Sequence, residues 1–159
     1  MSDLISDGNT KVAFASSIAN INSPTAAELT AAMDWTTRLT PDGLKVDPST
    51  ADVDTSSLAS TFTTQQPGRR SYTCELTFKR GSTTTEDQPY TTLVYGATGY
   101  VIVRRGVAFT TAFASGDKVE VYPVAAGEPQ NIAPAANEVS KFMAPLKVTS
   151  DPATRATVA

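Results

Sequence analysis

The stretch SYTCELTFKRG, residues 71–81, decides the fold. Tyr72, Cys74, Leu76 and Phe78 alternate with Ser71, Thr73, Glu75, Thr77 and Lys79. Successive side chains of an extended chain point to opposite faces, so this is a strand with one apolar and one polar face. The apolar row enters a core, and Cys74 reads there as a small buried hydrophobe rather than a nucleophile. The polar row meets bulk water or lines an aqueous channel.

A second stretch, GYVIVRRGVAF at residues 99–109, sharpens the picture. Tyr100 to Val103 form a continuous apolar run, the pattern of a strand buried on both faces. Arg104 and Arg105 follow, closed by Gly106. Strand parity sends Arg104 to the Tyr100/Ile102 face and Arg105 to the Val101/Val103 face. Two guanidiniums facing opposite ways cannot clamp one phosphate. They suit carboxylates on two surfaces, and acids of the amino-terminal half are the expected partners.

Around these strands the chain is punctuated. Residues 1–10 are small and polar and read as a flexible arm. KVAFAS, residues 11–16, reads as a strand. SPTAAELTAAM, residues 23–33, gathers helix signals: either Ser23 caps with Pro24 at the first helical position, or Thr25 caps with Glu28 three residues on, and Ala26, Leu29 and Met33 make a narrow apolar stripe. DWTTRLTPDGLKVD reads as a hairpin turning at Thr40-Pro41-Asp42-Gly43. Residues 47–70 show no sustained period and read as a long loop, disordered or interactive. A second short helix is expected from Asp87 to Gly96, with Tyr90, Leu93 and Val94 docking. DKVEVYPVAAG alternates until Pro123, which suggests an edge or a bulge. KFMAPLKVT, residues 141–149, reads as the last strand, and residues 150–159 as a polar tail.

Composition narrows the chemistry. The 159 residues fit one domain and contain no histidine and one cysteine. That removes the commonest general base, the commonest zinc ligand and any internal disulfide. There is no glycine-rich phosphate loop and no nucleophile elbow. The carboxylate pairs Asp52/Asp54 and Glu86/Asp87 sit in polar sequence and read as solvated. No catalytic residue, cofactor or metal site is expected. A start without a basic, apolar leader, and the lack of any membrane-length apolar run, point to a soluble product of a reducing cytoplasm.

Charge is uneven. The formal net charge is −3, yet residues 1–68 carry three bases against eight acids and residues 69–159 ten bases against eight acids. Proteins that grip nucleic acid by its backbone usually carry a basic excess, so such gripping is not the default here. Acidic and basic halves suit contact between copies of one chain.

In their order and spacing, SIANINSPTAAELTAAMDWT, VDTSSLASTF, SYTCELTFKR, YGATGYVIVRRGVA and DKVEVYPV resemble the major tail tube proteins of long, non-contractile-tailed bacteriophages. The similarity runs from about residue 11 through the closing KVTSDPATRATVA. The resemblance implies a mainly β fold, a β-sandwich or partial barrel of two crossed antiparallel sheets flanked by one or two short α-helices. It implies one tail-tube domain over residues 11–149, with the arm (1–10), the loop (47–70) and the tail (150–159) reaching between subunits. It implies a structural, non-enzymatic subunit of the virion tail, made and assembled in the host cytoplasm without membrane insertion. Its partners would be copies of itself in stacked hexameric rings, initiator or tip and terminator proteins, and viral DNA passing through the lumen without specific binding. The weak basic content suits a neutral-to-acidic lumen. Candidate subunit contacts are Arg104, Arg105, Arg69, Arg70, Asp52 and Asp54. A rival reading is an Ig-like capsid decoration or adhesion module binding glycans or a host surface, with Trp35 and a few tyrosines as its exposed aromatics.

Overall fold

A computed structural model describes residues 2–159. The elements are β1 (Thr10–Ala15), α1 (Ala26–Ala31), β2 (Met33–Asp34), β3 (Leu39–Asp54), β4 (Gln65–Lys79), α2 (Gln88–Thr92), β5 (Thr98–Arg105), β6 (Lys118–Ala126), β7 (Gln130–Asn131), β8 (Lys141–Val148) and β9 (Ala153–Thr157). The fold is mainly β with two short helices, as expected. The two crossed sheets of the expectation are one continuous antiparallel sheet, ordered β2-β1-β5-β6-β8-β4-β3, with β9 on β6 and β7 on β8 off that path. Both ends of the path are open, so it does not close into a barrel.

Aromatic packing shows how the sheet curls. Phe14 of β1 stacks on Trp35 at 4.9 Å, and Trp35 meets the edge of Phe78 of β4 at 5.4 Å. Phe78 stacks on Phe142 of β8 at 5.3 Å, and Tyr90 of α2 caps that ring at 5.1 Å. Strands distant in the sheet order thus share one core with Cys74, Leu76, Val101 and Val103. Each such fully buried large side chain contributes about 1.5–3 kcal/mol. Gly99 admits this packing, because a Cβ there would collide with the Phe14 ring.

The other face of β1, β5 and β6 is covered by a second cluster. Ile102, Val119 and Val121 pack there with Leu29 of α1, Phe113 and the β9 residues Ala153 and Ala156. Hence residues 101–103 are buried on both faces, as their unbroken apolar run requires. The capping box holds α1: Glu28 N–H donates to Thr25 Oγ1 at 3.2 Å, and Thr25 N–H donates to Glu28 Oε1 at 3.4 Å. Leu29 is its buried anchor.

Several expected boundaries move. Thr40-Pro41-Asp42-Gly43 is not a hairpin turn but a bulge inside β3, where the register with β4 jumps from Leu39/Phe78 to Leu44/Leu76. A bulge absorbs the same turn-forming residues without reversing the chain. The expected loop 47–70 is the far half of a long hairpin, with Asp47 to Asp54 paired to Thr73 back to Gln65. The expected tail 150–159 contains β9, which pairs with β6 of its own chain and buries Ala156 and Val158. Pro123 marks neither an edge nor the β6 bulge. It lies mid-strand opposite Tyr100, where the outer partner of β6 changes from β9 to β8. In the amino-terminal arm, the carbonyls of Gly8 and Asn9 accept from Phe109 and Gly106, which ties the arm to the exit of β5.

Candidate assembly surface

The paired arginines separate as strand parity requires. Arg104 is completely buried. Its Nη1 donates to Ala112 O at 3.0 Å and to Asp117 Oδ2 at 3.0 Å. Its Nη2 donates to Ala108 O at 3.1 Å and Thr111 O at 2.6 Å, while the guanidinium lies 4.9 Å from the Phe113 ring centroid. One side chain thus closes the 106–117 connection, which Gly106 opens at φ 85°. Arg105 is half exposed and its Nε donates to Glu120 Oε2 at 3.2 Å. Both partners are acids of the carboxy-terminal half of the same chain. The amino-terminal acids are not involved, and Arg104 offers no surface to a second subunit.

The remaining candidates converge on the β3–β4 hairpin. β8 pairs with β4 only from Lys79 back to Thr73. Beyond Thr73 the hairpin continues as a two-stranded arm, and residues 47–70 are exposed apart from partly buried Ser56 and Gly68. A two-stranded ribbon alone is marginal in water, and beyond Thr73 no third strand supports this arm. At its base Arg70 Nη2 donates to both carboxylate oxygens of Asp151, at 2.8 and 2.9 Å. Farther out lie Asp52 and Asp54, neither of which forms an ion pair among the described residues. Ser56 N–H donates to Asp54 Oδ1 at 2.8 Å, which opens the tip. That bond, with a weaker one from the Ser56 side chain, holds the Asp54 carboxyl below its ordinary pKa. The tip carries Leu58 and Phe62, both more than three-quarters exposed, and Val53 adds an apolar side chain on the shaft.

The polar face read from residues 71–79 exists as well. Glu75 lies between Lys45 of β3 and Pro145 of β8, and Lys79 lies beside Lys141. With Asp47 and Lys147 this face holds four lysines against two acids. A bore lined by it would be basic, not neutral to acidic.

Sequence reasoning missed two clusters. Asp87 stands at the N-cap of α2 as expected, but its side chain makes no cap bond and is not solvated: it is nearly buried, taking Arg80 Nε at 2.9 Å and Nη2 at 2.8 Å. Arg80 also lies 3.6 Å from the Tyr90 ring centroid. The Arg80 contact, helped by Gly81 N–H, keeps the Asp87 carboxyl ionised well into acid, the opposite of a proton donor. The second cluster is a cleft where Arg105, Lys118 and Arg155 surround Glu120 over Val103 and Val119. It depends on β9 docking on β6, which the short sequence ATRAT does not announce.

Trp35, the main aromatic of the adhesion reading, lies in the core. Burial, reinforced by neighbouring Glu75, raises the Cys74 thiol to about 12, so it stays protonated. Among the described residues no three His, Cys, Asp or Glu side chains are grouped to hold a metal. Nor is any helix among them long and apolar enough to cross a membrane.

A curled antiparallel sheet with open edges, both faces of its central strands filled and a bare two-stranded arm defines an assembly subunit. The chain belongs to the phage tail tube protein family, whose model matches residues 1–159. It is therefore a structural component of a phage tail. Among solved structures it is similar to a chain of the cryo-EM structure of the anti-feeding prophage (AFP) baseplate, 6-fold symmetrised. That likeness has a TM-score of 0.59 at 10% identity over 96% of this chain and 95% of that one, and it concerns the fold. No curated protein sequence matches the chain.

Proposed function

We propose that this chain is the repeating, non-enzymatic subunit of the tail tube. Copies associate head to tail into six-membered rings, the rings stack, and viral DNA passes through the bore without specific binding. Assembly takes place in the host cell, and initiator or tip and terminator proteins bound the tube. The observation that carries this reading is the β3–β4 arm, an exposed ribbon with apolar side chains at its tip and no core of its own. A contact between two different surfaces closes into a ring about an axis and can repeat along it. The same contact covers the open strand edges, which otherwise template aggregation.

The reading keeps the neutral-to-acidic bore. It therefore turns the polar face of β3, β4 and β8 away from the bore, because a basic channel would retain DNA by counterion release. Lysine rings from that face lining the channel of a reconstructed tube would overturn this placement. The central test is negative-stain electron microscopy of the purified chain. Tubes or six-fold rings are expected. A preparation that stays monomeric at all concentrations defeats the proposal.

A further inference from the structure

Outside the core, two surfaces carry net charge of opposite sign. The outer arm, residues 49–69, contains Asp52, Asp54 and one base, Arg69; none of the three forms an ion pair among the described residues. The cleft at the β5–β6–β9 corner contains three cations, Arg105, Lys118 and Arg155, against the single acid Glu120. Lys118 and Arg155 form no ion pair among the described residues; Lys118 Nζ donates only to Thr157 Oγ1, at 2.6 Å. The imbalance is one negative on the arm and two positive in the cleft.

Shape agrees with charge. The cleft is an open groove of about 400 Å³, and Val103 and Val119 beneath it are already buried. That volume is of the size that holds a drug-sized group. Leu58 and Phe62 at the arm tip are apolar side chains left in water. From Thr50 to Asp54 and on into the tip the arm advances about 3.3 Å per residue, far enough to leave its own body. Of the two larger grooves, the one between the amino-terminal arm and the β3 bulge offers Asp7 beside Arg105, and the one beside α1 offers only the acid Glu28, so neither has a charge preference for the arm.

We propose that the tip of the β3–β4 arm seats in the Arg105–Lys118–Arg155 cleft of a neighbouring copy. Asp52 and Asp54 pair with the cleft cations, and Phe62 or Leu58 enters the groove beside them. This docking rests on the tube reading and names the contact that would hold copies together. Arg105 stays engaged with Glu120, so Lys118 and Arg155 are the cations free to receive the arm.

Charge exchange tests it. Asp52→Lys with Asp54→Lys inverts the arm, and Lys118→Glu with Arg155→Glu inverts the cleft. All four positions are exposed, so thermal melts by circular dichroism are expected to match the parent chain. Each double variant alone should lose tubes at least about tenfold in electron micrographs and sedimentation, because like charges then oppose each other across the contact. An equimolar mixture of the two should regain tubes, since every arm then finds a cleft of opposite sign when the variants alternate. The quadruple variant should regain them by itself. Parent-like tubes from either double variant overturn the docking while leaving the tube reading intact. So does a mixture that fails to recover, which would assign the cleft to another acidic surface. A parent chain that never assembles sinks both.

Discussion

At the scale of single residues, charge inside this subunit serves the fold. Arg104 has exchanged water for three carbonyls and one carboxylate in its own chain. Replacing it with Met nearly keeps the volume but leaves Asp117 only the Ala114 N–H as a partner and frees those carbonyls. Breaking a buried pair costs about 3–5 kcal/mol, and the partial exposure of Asp117 sets the lower end. Denaturant unfolding of Arg104→Met should therefore show a loss of about 3 kcal/mol; a loss within error of zero would show that the 106–117 connection does not depend on it. Asp87 gives a pH signature. Its pKa in the folded state lies below the unfolded value, so it contributes stability above about pH 4, lost as pH falls through the folded value. Asp87→Asn should cost about 2 kcal/mol at pH 7, the worth of its charged hydrogen bonds. The gap between variant and parent should stay level from neutral down to about pH 5 and close in stronger acid. A gap that persists unchanged at pH 2 would assign the loss to packing.

At the scale of elements, legibility followed burial. Residues 71–79 were readable because β4 there has one face in the core and one out, which imposes a period of two. Residues 100–104 were readable because both faces are filled. The same β4 is invisible at 65–70, where neither face is buried and no selection for alternation exists. β9 was hidden for a different reason. Its inward residues Ala153 and Ala156 are small and out of step by one, and β6 shows an irregularity opposite them between Val119 and Val121. The arginine pair was legible in direction but not in partner. Parity follows from the backbone, whereas Asp117 and Glu120 were fixed by tertiary packing. The arm also carries its own prediction. Replacing residues 55–64 with an Asn-Gly turn removes no core residue, so the melting temperature should change by less than about 2 °C, while tube formation stops. Normal tubes from the shortened chain would show that the tip is not a contact. A collapsed melting temperature would show that the arm supports the body.

At the scale of the whole molecule, the excess of acids over bases in residues 1–68 and of bases over acids in residues 69–159 becomes spatial. The hairpin carries part of the acidic half away from the body, and β9 brings Arg155 beside Lys118 in the basic half. The charges are exposed, so salt weakens their attraction: the screening length is about 10 Å at 0.1 M and about 3 Å at 1 M. The apolar tip responds in the other direction or not at all, because burial of Leu58 and Phe62 does not depend on counterions. Salt thus separates two contributions to one contact. Charge complementarity acts chiefly on encounter, so the initial rate of assembly followed by light scattering should fall about tenfold between 50 mM and 1 M sodium chloride. Tubes already formed should dissociate much less, held by the covered tip and the paired edges. A rate indifferent to salt would mean that the acidic arm and basic cleft do not steer copies together. Rapid dissolution of finished tubes at 1 M would mean the opposite error, that the tip contributes little and charge alone holds the contact.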